Sequence, residues 1–386
     1  MGKWEMVKLG DVCELITDGT HQTPEYCNKS IGYPFLSSKN VTKEKIDWDD
    51  IKYIPKELHE SLYKRLSPRL NDILLAKNGT TGVAALVDRD CVFDIYVSLA
   101  LLRPKHIINP PYLLKAINNP YTKRQFQSHL KGIGVPNLHL SEIRETKIPL
   151  PPLPIQQKIA DVLDRANTLI EKRKAQIEKL DLLVKSQFVE MFGDPVTNPM
   201  GWEVKTFSDI SKVRQGLQIP ISDRKTVAGQ NRLKYITVQY LNGNKAEEYI
   251  ENPRPNVICH ENDILMTRTG NTGLVITGVY GVFHNNFFLI DFDKSVLSKN
   301  FLVYYLNTQE IQRELLRLAG TSTIPDLNHS DFYKIKIYLP PLELQNKFAA
   351  FVERVETQKS QMKKGFELME LGYKSLMQKC FNGEMF

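Results

Sequence analysis

The chain is written twice, and that duplication limits what it can fold into more than any other feature. Trp4-Glu5 with Asp11-Val12 recurs as Trp202-Glu203 with Asp209-Ile210, and NDILLAKNGTTG at 71–82 recurs as NDILMTRTGNTG at 262–273. Val135-Pro136-Asn137-Leu138 then matches Ile324-Pro325-Asp326-Leu327, and IPLPPLPIQQKIADVL at 148–163 matches IYLPPLELQNKFAAFV at 337–352. Order and spacing both persist. A long unit present only twice is a duplicated domain, whereas a solenoid stacks several short units. A chain of 386 residues is long enough for two such domains at about 100 to 200 residues each.

Within each copy, β-branched and aromatic runs such as Val92–Val97 and Tyr235–Val238 predict strands, while PYLLKAINN and NFLVYYLNT predict short helices, so each domain is expected to be α+β. After each LPPL the composition shifts to helix formers, from about Ile155 to Phe192 and from about Leu344 to Phe381. Pro151, Pro152, Pro154, Pro340 and Pro341 hold the preceding backbone extended and mark where the helices begin. Gly193-Asp194-Pro195 and Asn382-Gly383 end them. On the first helix Ile159, Leu163, Ala166, Ile170, Ile177, Leu180, Val184 and Met191 fall on one seam, interrupted at Arg173 and Gln187. On the second, Phe348, Val352, Val355, Met362, Phe366, Met369, Tyr373, Leu376 and Cys380 do the same, interrupted at Lys359. A single amphipathic helix buries one face on its own domain, but one of nearly 40 residues spans about 60 Å and outruns a 150-residue domain. The two seams are therefore expected to pair as an antiparallel coiled coil, a spacer with pseudo-two-fold symmetry. The expected division is a first domain over 1–152, a long helix over 153–194, a second domain over 195–341, and a second long helix with the C-terminal tail over 342–386.

A formal net charge of +7 and a pI near 8.9 favour polyanionic partners. No apolar run approaches the roughly 18 residues that cross a bilayer. The opening MGKWEMVKLGD has no signal-peptide apolar region, and Met6 stands where a myristoylation signal needs Ser or Thr, so a cytoplasmic location is expected. Cys13, Cys27, Cys91, Cys259 and Cys380 are odd in number and form no CxxC pair, which predicts reduced thiols and no metal site.

The candidates for DNA contact lie in the repeated polar loops. Lys77, Asn78, Thr80 and Thr81 correspond to Arg268, Thr269, Asn271 and Thr272, with glycines that allow close backbone approach and a cation retained. Lys39 and Asn40 answer Gln239 and Tyr240, and Asn137 and His139 flank Leu138 as Asp326 and Asn328 flank Leu327. His21 and Gln22 in DGTHQTP are matched with Arg214, Gln215 and Gln218. Each pair changes its polar chemistry while its apolar frame persists, as expected of one scaffold presenting different base-reading groups; solvated turns and surface drift give a similar pattern.

Asn109-Pro110-Pro111-Tyr112 spells the NPPY of amino-group DNA methyltransferases. No glycine-rich turn for S-adenosylmethionine accompanies it, and its repeat partner is Ser298-Lys299-Asn300-Phe301, so it is read as a proline-rich helix entry. No P-loop, HExxH, kinase set or nucleophile elbow is present, and the chain is read as non-catalytic.

The doubled domain, NDIL followed by a cation and the GxxG of Gly79 and Gly82 or of Gly270 and Gly273, then LPPL and a Gln-containing helix start, resembles the specificity subunits of type I restriction-modification enzymes over nearly the whole chain. The resemblance implies two target-recognition domains, each reading half of a bipartite, asymmetric site in double-stranded DNA. It implies a helix pair that docks two methylation subunits, which carry S-adenosylmethionine and modify adenine N6. Restriction subunits using ATP and Mg would join them, in a prokaryotic cytoplasm, with no cofactor in this chain. A methylation-only system, a self-contained adenine-N6 methyltransferase and a structural adaptor remain the rivals at this point.

Overall fold

The computed structural model describes residues 3–129, 137–243, 246–320 and 325–386; Val135, Pro136 and Ile324 of the repeat lie outside them. The chain divides into two compact units, one of Met1–Arg173 with Gly365–Phe386 and one of Lys174–Lys364.

In the first unit an antiparallel sheet runs in the order Cys13–Asp18, Leu99–Pro104, Ile73–Ala76, Ala84–Leu86. Side chains alternate across a strand, and here both faces are covered. Ile73, Leu75, Ala100 and Leu102 pack with Tyr112, Leu113, Ile117 and Phe126 of two short helices. Leu74, Ala76, Leu99 and Leu101 pack on the other side with Leu36, Phe93 and Ile95. Two-sided burial is why the ILLA run is continuously apolar. A second sheet joins Lys52–Ile54, Tyr33–Leu36 and Asp94–Ile95, the last two in parallel.

The second unit repeats this plan in the order Ser211–Gln215, Phe287–Phe292, Ile264–Thr267, Val275–Ile276. Its second sheet holds the matching parallel pair Arg232–Ile236 and Gly281–Phe283. Registers coincide: Leu75 faces Ala100, which faces Asp18, as Met266 faces Phe288, which faces Gln215. Each unit is the mixed α/β domain expected.

Two local expectations change. Of Val92–Val97 only Asp94–Ile95 is strand. Val238 leaves the strand because the Thr237 hydroxyl accepts the Tyr240 amide at 3.1 Å and starts a short helix, Val238–Leu241.

The long helices run over Leu153–Phe192 and Leu342–Asn382. Inside the first unit their parts lie antiparallel: Asp164 is close enough to Tyr373 to add to the rise in its pKa that burial causes, and Arg173 reaches Gly365. Inside the second unit Lys359 pairs with Asp181, and the Phe188 and Phe348 rings stand 5.5 Å apart, again antiparallel. Leu163, Ile170, Val184, Val352 and Val355 are buried; Ile177, Leu180, Met362, Phe366, Met369 and Tyr373 are partly so. Lys359, where the seam breaks, is held by Asp181 and Glu356. Towards the helix ends the buried stripe widens to Phe188, Phe192, Met377 and Phe381, because those turns enter a domain core instead of facing one partner helix.

Candidate nucleic-acid interface

The repeated loop has the same backbone in both units. Gly79, Gly82, Gly270 and Gly273 adopt φ of 72°, 82°, 84° and 91°, the left-handed region that only glycine enters freely. The Gly82 amide donates to Ala76 O and the Gly273 amide to Thr267 O, both at 2.9 Å. The cation that follows each strand is tied on both sides of its backbone. Lys77 N donates to Ser98 O at 2.8 Å and Leu138 N to Lys77 O at 2.9 Å, as Arg268 N donates to Asn286 O at 2.7 Å and Leu327 N to Arg268 O at 2.8 Å. The loop and the segment after it, far apart in sequence, are thus joined in each unit.

Gly19 and Gly216 occupy a second matched position. A Cβ on either would lie far inside contact distance of backbone, at Ile95 and Tyr96 in the first unit and at Phe283 and His284 in the second. This anchors the register of the strand end and corrects one pairing. Gln215 stands where Asp18 does, and Gln218, not Arg214 or Gln215, stands where His21 does.

In the first unit the candidate segments converge. The Thr80 hydroxyl donates to Ser38 O at 3.3 Å and to Val41 O at 3.1 Å, and Ser38 Oγ donates to Asn78 Oδ1 at 3.4 Å. Lys77 Nζ meets Asp18 Oδ2 at 2.5 Å, and His21 Nε2 lies 3.5 Å from Asp18 Oδ1. His21, Gln22, Lys39, Thr80 and Asn137 are exposed, whereas Lys77 is 5% exposed and Thr81 carries a buried hydroxyl without a partner. Asn40 is buried, with its amide bound to Asp50 O at 2.7 Å and its carbonyl accepting Ser37 N at 2.9 Å. His139 is the residue before the helix Leu140–Glu145, and its backbone amide donates to Glu142 at 2.8 Å. Lys77 and Asn40 therefore hold the surface together from beneath.

In the second unit Arg268 Nη2 donates to Asp326 Oδ2 at 2.8 Å, and the Thr269 hydroxyl donates to Asp326 Oδ1 at 2.6 Å. Thr272 Oγ1 bridges Arg268 O and Pro325 O, each at 3.1 Å. Asn271 and Gln239 are exposed. Tyr240 lies on the short helix with Lys234 over its ring, Gln215 is bonded to Asn285 O and Arg214 to Asn256 O. Asn328 caps the helix His329–Tyr333 by accepting Asp331 N at 2.9 Å. Desolvation, then the nearby Arg268 charge, lowers the His329 pKa.

NPPY is a helix entry here. Asn109 Oδ1 accepts Tyr112 N at 2.9 Å, and the Tyr112 ring is buried with its hydroxyl on Pro149 O. Ser298 caps the matching helix through Phe301 N.

Two features that sequence reasoning left without a role prove structural in both copies. Gln156 accepts Asn109 N at 2.7 Å and donates to Ile107 O and Pro151 O; Gln345 accepts Ser298 N at 2.8 Å and donates to Val296 O and Pro340 O. Trp4 Nε1 donates to Cys380 O and Trp202 Nε1 to Phe192 O, closing a helix end in each unit. Their recurrence in the repeat was the available signal. Among the described residues no group of His, Cys, Asp and Glu could hold a metal, and no helix is long and apolar enough to cross a membrane.

A duplicated domain with one loop scaffold and two sets of exposed polar groups matches a known family. The profile described as type I restriction modification DNA specificity domain matches residues 1–179 and 199–367. The chain belongs to this family, the specificity subunits of type I restriction-modification systems, whose role is DNA recognition. It is 27% identical to the provisionally named MjaX type I restriction enzyme specificity subunit of Methanocaldococcus jannaschii, covering 99% of this chain and 93% of that protein. It is 22% identical to the StySPI type I restriction enzyme specificity subunit of Salmonella potsdam, covering 99% and 89%. The fold is also that of the type I restriction-modification system S subunit from M. genitalium, with a TM-score of 0.58 at 15% identity over 98% of this chain and 96% of that one.

Proposed function

We propose that this chain is the non-catalytic reading subunit of a type I complex, each unit reading one half of a bipartite, asymmetric target in double-stranded DNA. The observation that carries this is one loop scaffold, with the same backbone bonds at its cation and its second glycine in two units, that exposes His21, Gln22, Lys39 and Asn137 in one copy and Gln218, Gln239 and Asn271 in the other. A shared frame positions the phosphate-facing backbone, and different exposed donors and acceptors read different bases. The long helices dock two methylation subunits, which supply S-adenosylmethionine and modify adenine N6, and restriction subunits with ATP and Mg join that core in a prokaryotic cytoplasm.

The test separates reading from chemistry. Calorimetry of the isolated chain with S-adenosylmethionine gives no binding heat, and methylation of DNA appears only when the methylation subunit is added. Binding of S-adenosylmethionine by this chain alone, with methylation by it alone, overturns the reading.

A further inference from the structure

We infer that a relocated counter-ion decides to which neighbouring segment the cation side chain at the head of each glycine-framed loop is tied, which makes Asp18 and Asp326 positioning residues of recognition. The inference rests on the reading role proposed above.

The register pairs Lys77 with Arg268, Asp18 with Gln215 and Asn137 with Asp326. Each unit therefore keeps a cation at the head of the loop and supplies one acid to it, from a different place. In the first unit the acid is Asp18, at the end of the strand that leads into Gly19-Thr20-His21-Gln22, and the Asn137 position is uncharged. In the second unit the strand end carries Gln215, and the acid is Asp326 on the segment after the loop. A cation as enclosed as Lys77 is tolerable only beside a partner charge, so moving the acid changes what the loop must stay beside.

Side-chain bonds of the described loop residues differ between the units as well. In the first unit Thr80 and Asn78 bond to Ser38 and Val41. In the second, Thr269 bonds to Asp326, and Gly270 N and Thr272 Oγ1 both donate to Pro325 O. Both loops accept a backbone bond from the segment after them; beyond that, the described residues build the first loop into one surface with 18–22 and 38–41 and hold the second further to 325–328. A held geometry discriminates bases better than a loose one because the ordering cost is already met before DNA arrives.

The experiment uses the full chain assembled with its methylation subunit and maps N6-methyladenine genome-wide. Asp18→Asn relaxes the half-site read by the first unit, with roughly tenfold weaker discrimination, the scale of one good base contact, and leaves the other half-site unchanged. Asp326→Asn, at a half-exposed position, does the reverse with the fold retained. A rewired first unit, Asp18→Gln with Lys77→Arg and Asn137→Asp, copies the second unit's pairing and regains strict reading by the first unit, which loss of bulk stability alone would not allow. Unchanged half-sites in both single variants, or a rewired chain no stricter than Asp18→Asn, overturn the inference. A wild-type complex without any split motif instead overturns the underlying reading role.

Discussion

At the residue scale the buried amides of Gln156 and Gln345 hold the same joint in both copies. Each fastens the start of a long helix to the turn before a short one through two hydrogen bonds and holds the proline segment before its own helix by a third. Gln156→Ala strands buried donors and acceptors and is expected to cost about 1–3 kcal/mol, read by denaturant unfolding of the first unit. A loss below a few tenths would contradict the role. His329 offers a pH test. Its folded pKa lies below the ordinary 6.5, so the unfolded chain binds the proton more readily. Its contribution to stability is whole above that value and is lost as pH falls through the lowered one. Thermal melting of the second unit should therefore fall on acidification, and His329→Gln should flatten that slope; an unchanged slope would assign it elsewhere. The GxxG loops were legible in sequence because glycine at both ends reports a backbone that only glycine enters freely. The Lys77–Asp18 pair was not, since 59 residues separate its members and its counterpart in the repeat uses a different acid.

At the element scale the sheets and helices are held by close approach and aromatic packing. Gly19 has no room for a Cβ against the backbone of Ile95 and Tyr96, and backbone cannot swing aside as a flexible side chain can. Gly19→Ala is expected to cost at least the 1–3 kcal/mol typical of overpacking and to show as faster hydrogen exchange in the strand Cys13–Asp18. Protection equal to wild type would mean that the close approach relaxes freely. In the second unit Phe348 meets Phe188, Phe192 and Tyr304 edge-on at 5.3–5.5 Å. Phe348→Ala should remove about 3–5 kcal/mol in calorimetric unfolding of that unit. Helix limits were readable to within two residues, because prolines start the helices and glycines follow their ends. The strands were less legible: two-sided burial erases alternation in Ile73–Ala76, and the Thr237 cap turns a β-branched run into a helix.

For the whole molecule, duplication was the feature most fully written in the sequence, since an apolar frame and its spacing survive divergence that changes many exposed groups. Which exposed groups sit together was not written there; it depends on strand register, which keeps Gln218 but neither Arg214 nor Gln215 in the place of His21. Binding of the assembled complex to DNA should weaken steeply with salt, log K falling by about 0.9 per log unit of salt for each phosphate contacted; insensitivity to salt would favour a protein-binding adaptor. The most direct measurement is single-molecule sequencing of N6-methyladenine in cells that express this chain with its methylation subunit. A bipartite reading subunit gives a split motif of two unlike half-sites that vanishes without this chain. A continuous motif, or no sequence-dependent methylation from a complex shown to assemble, would contradict it.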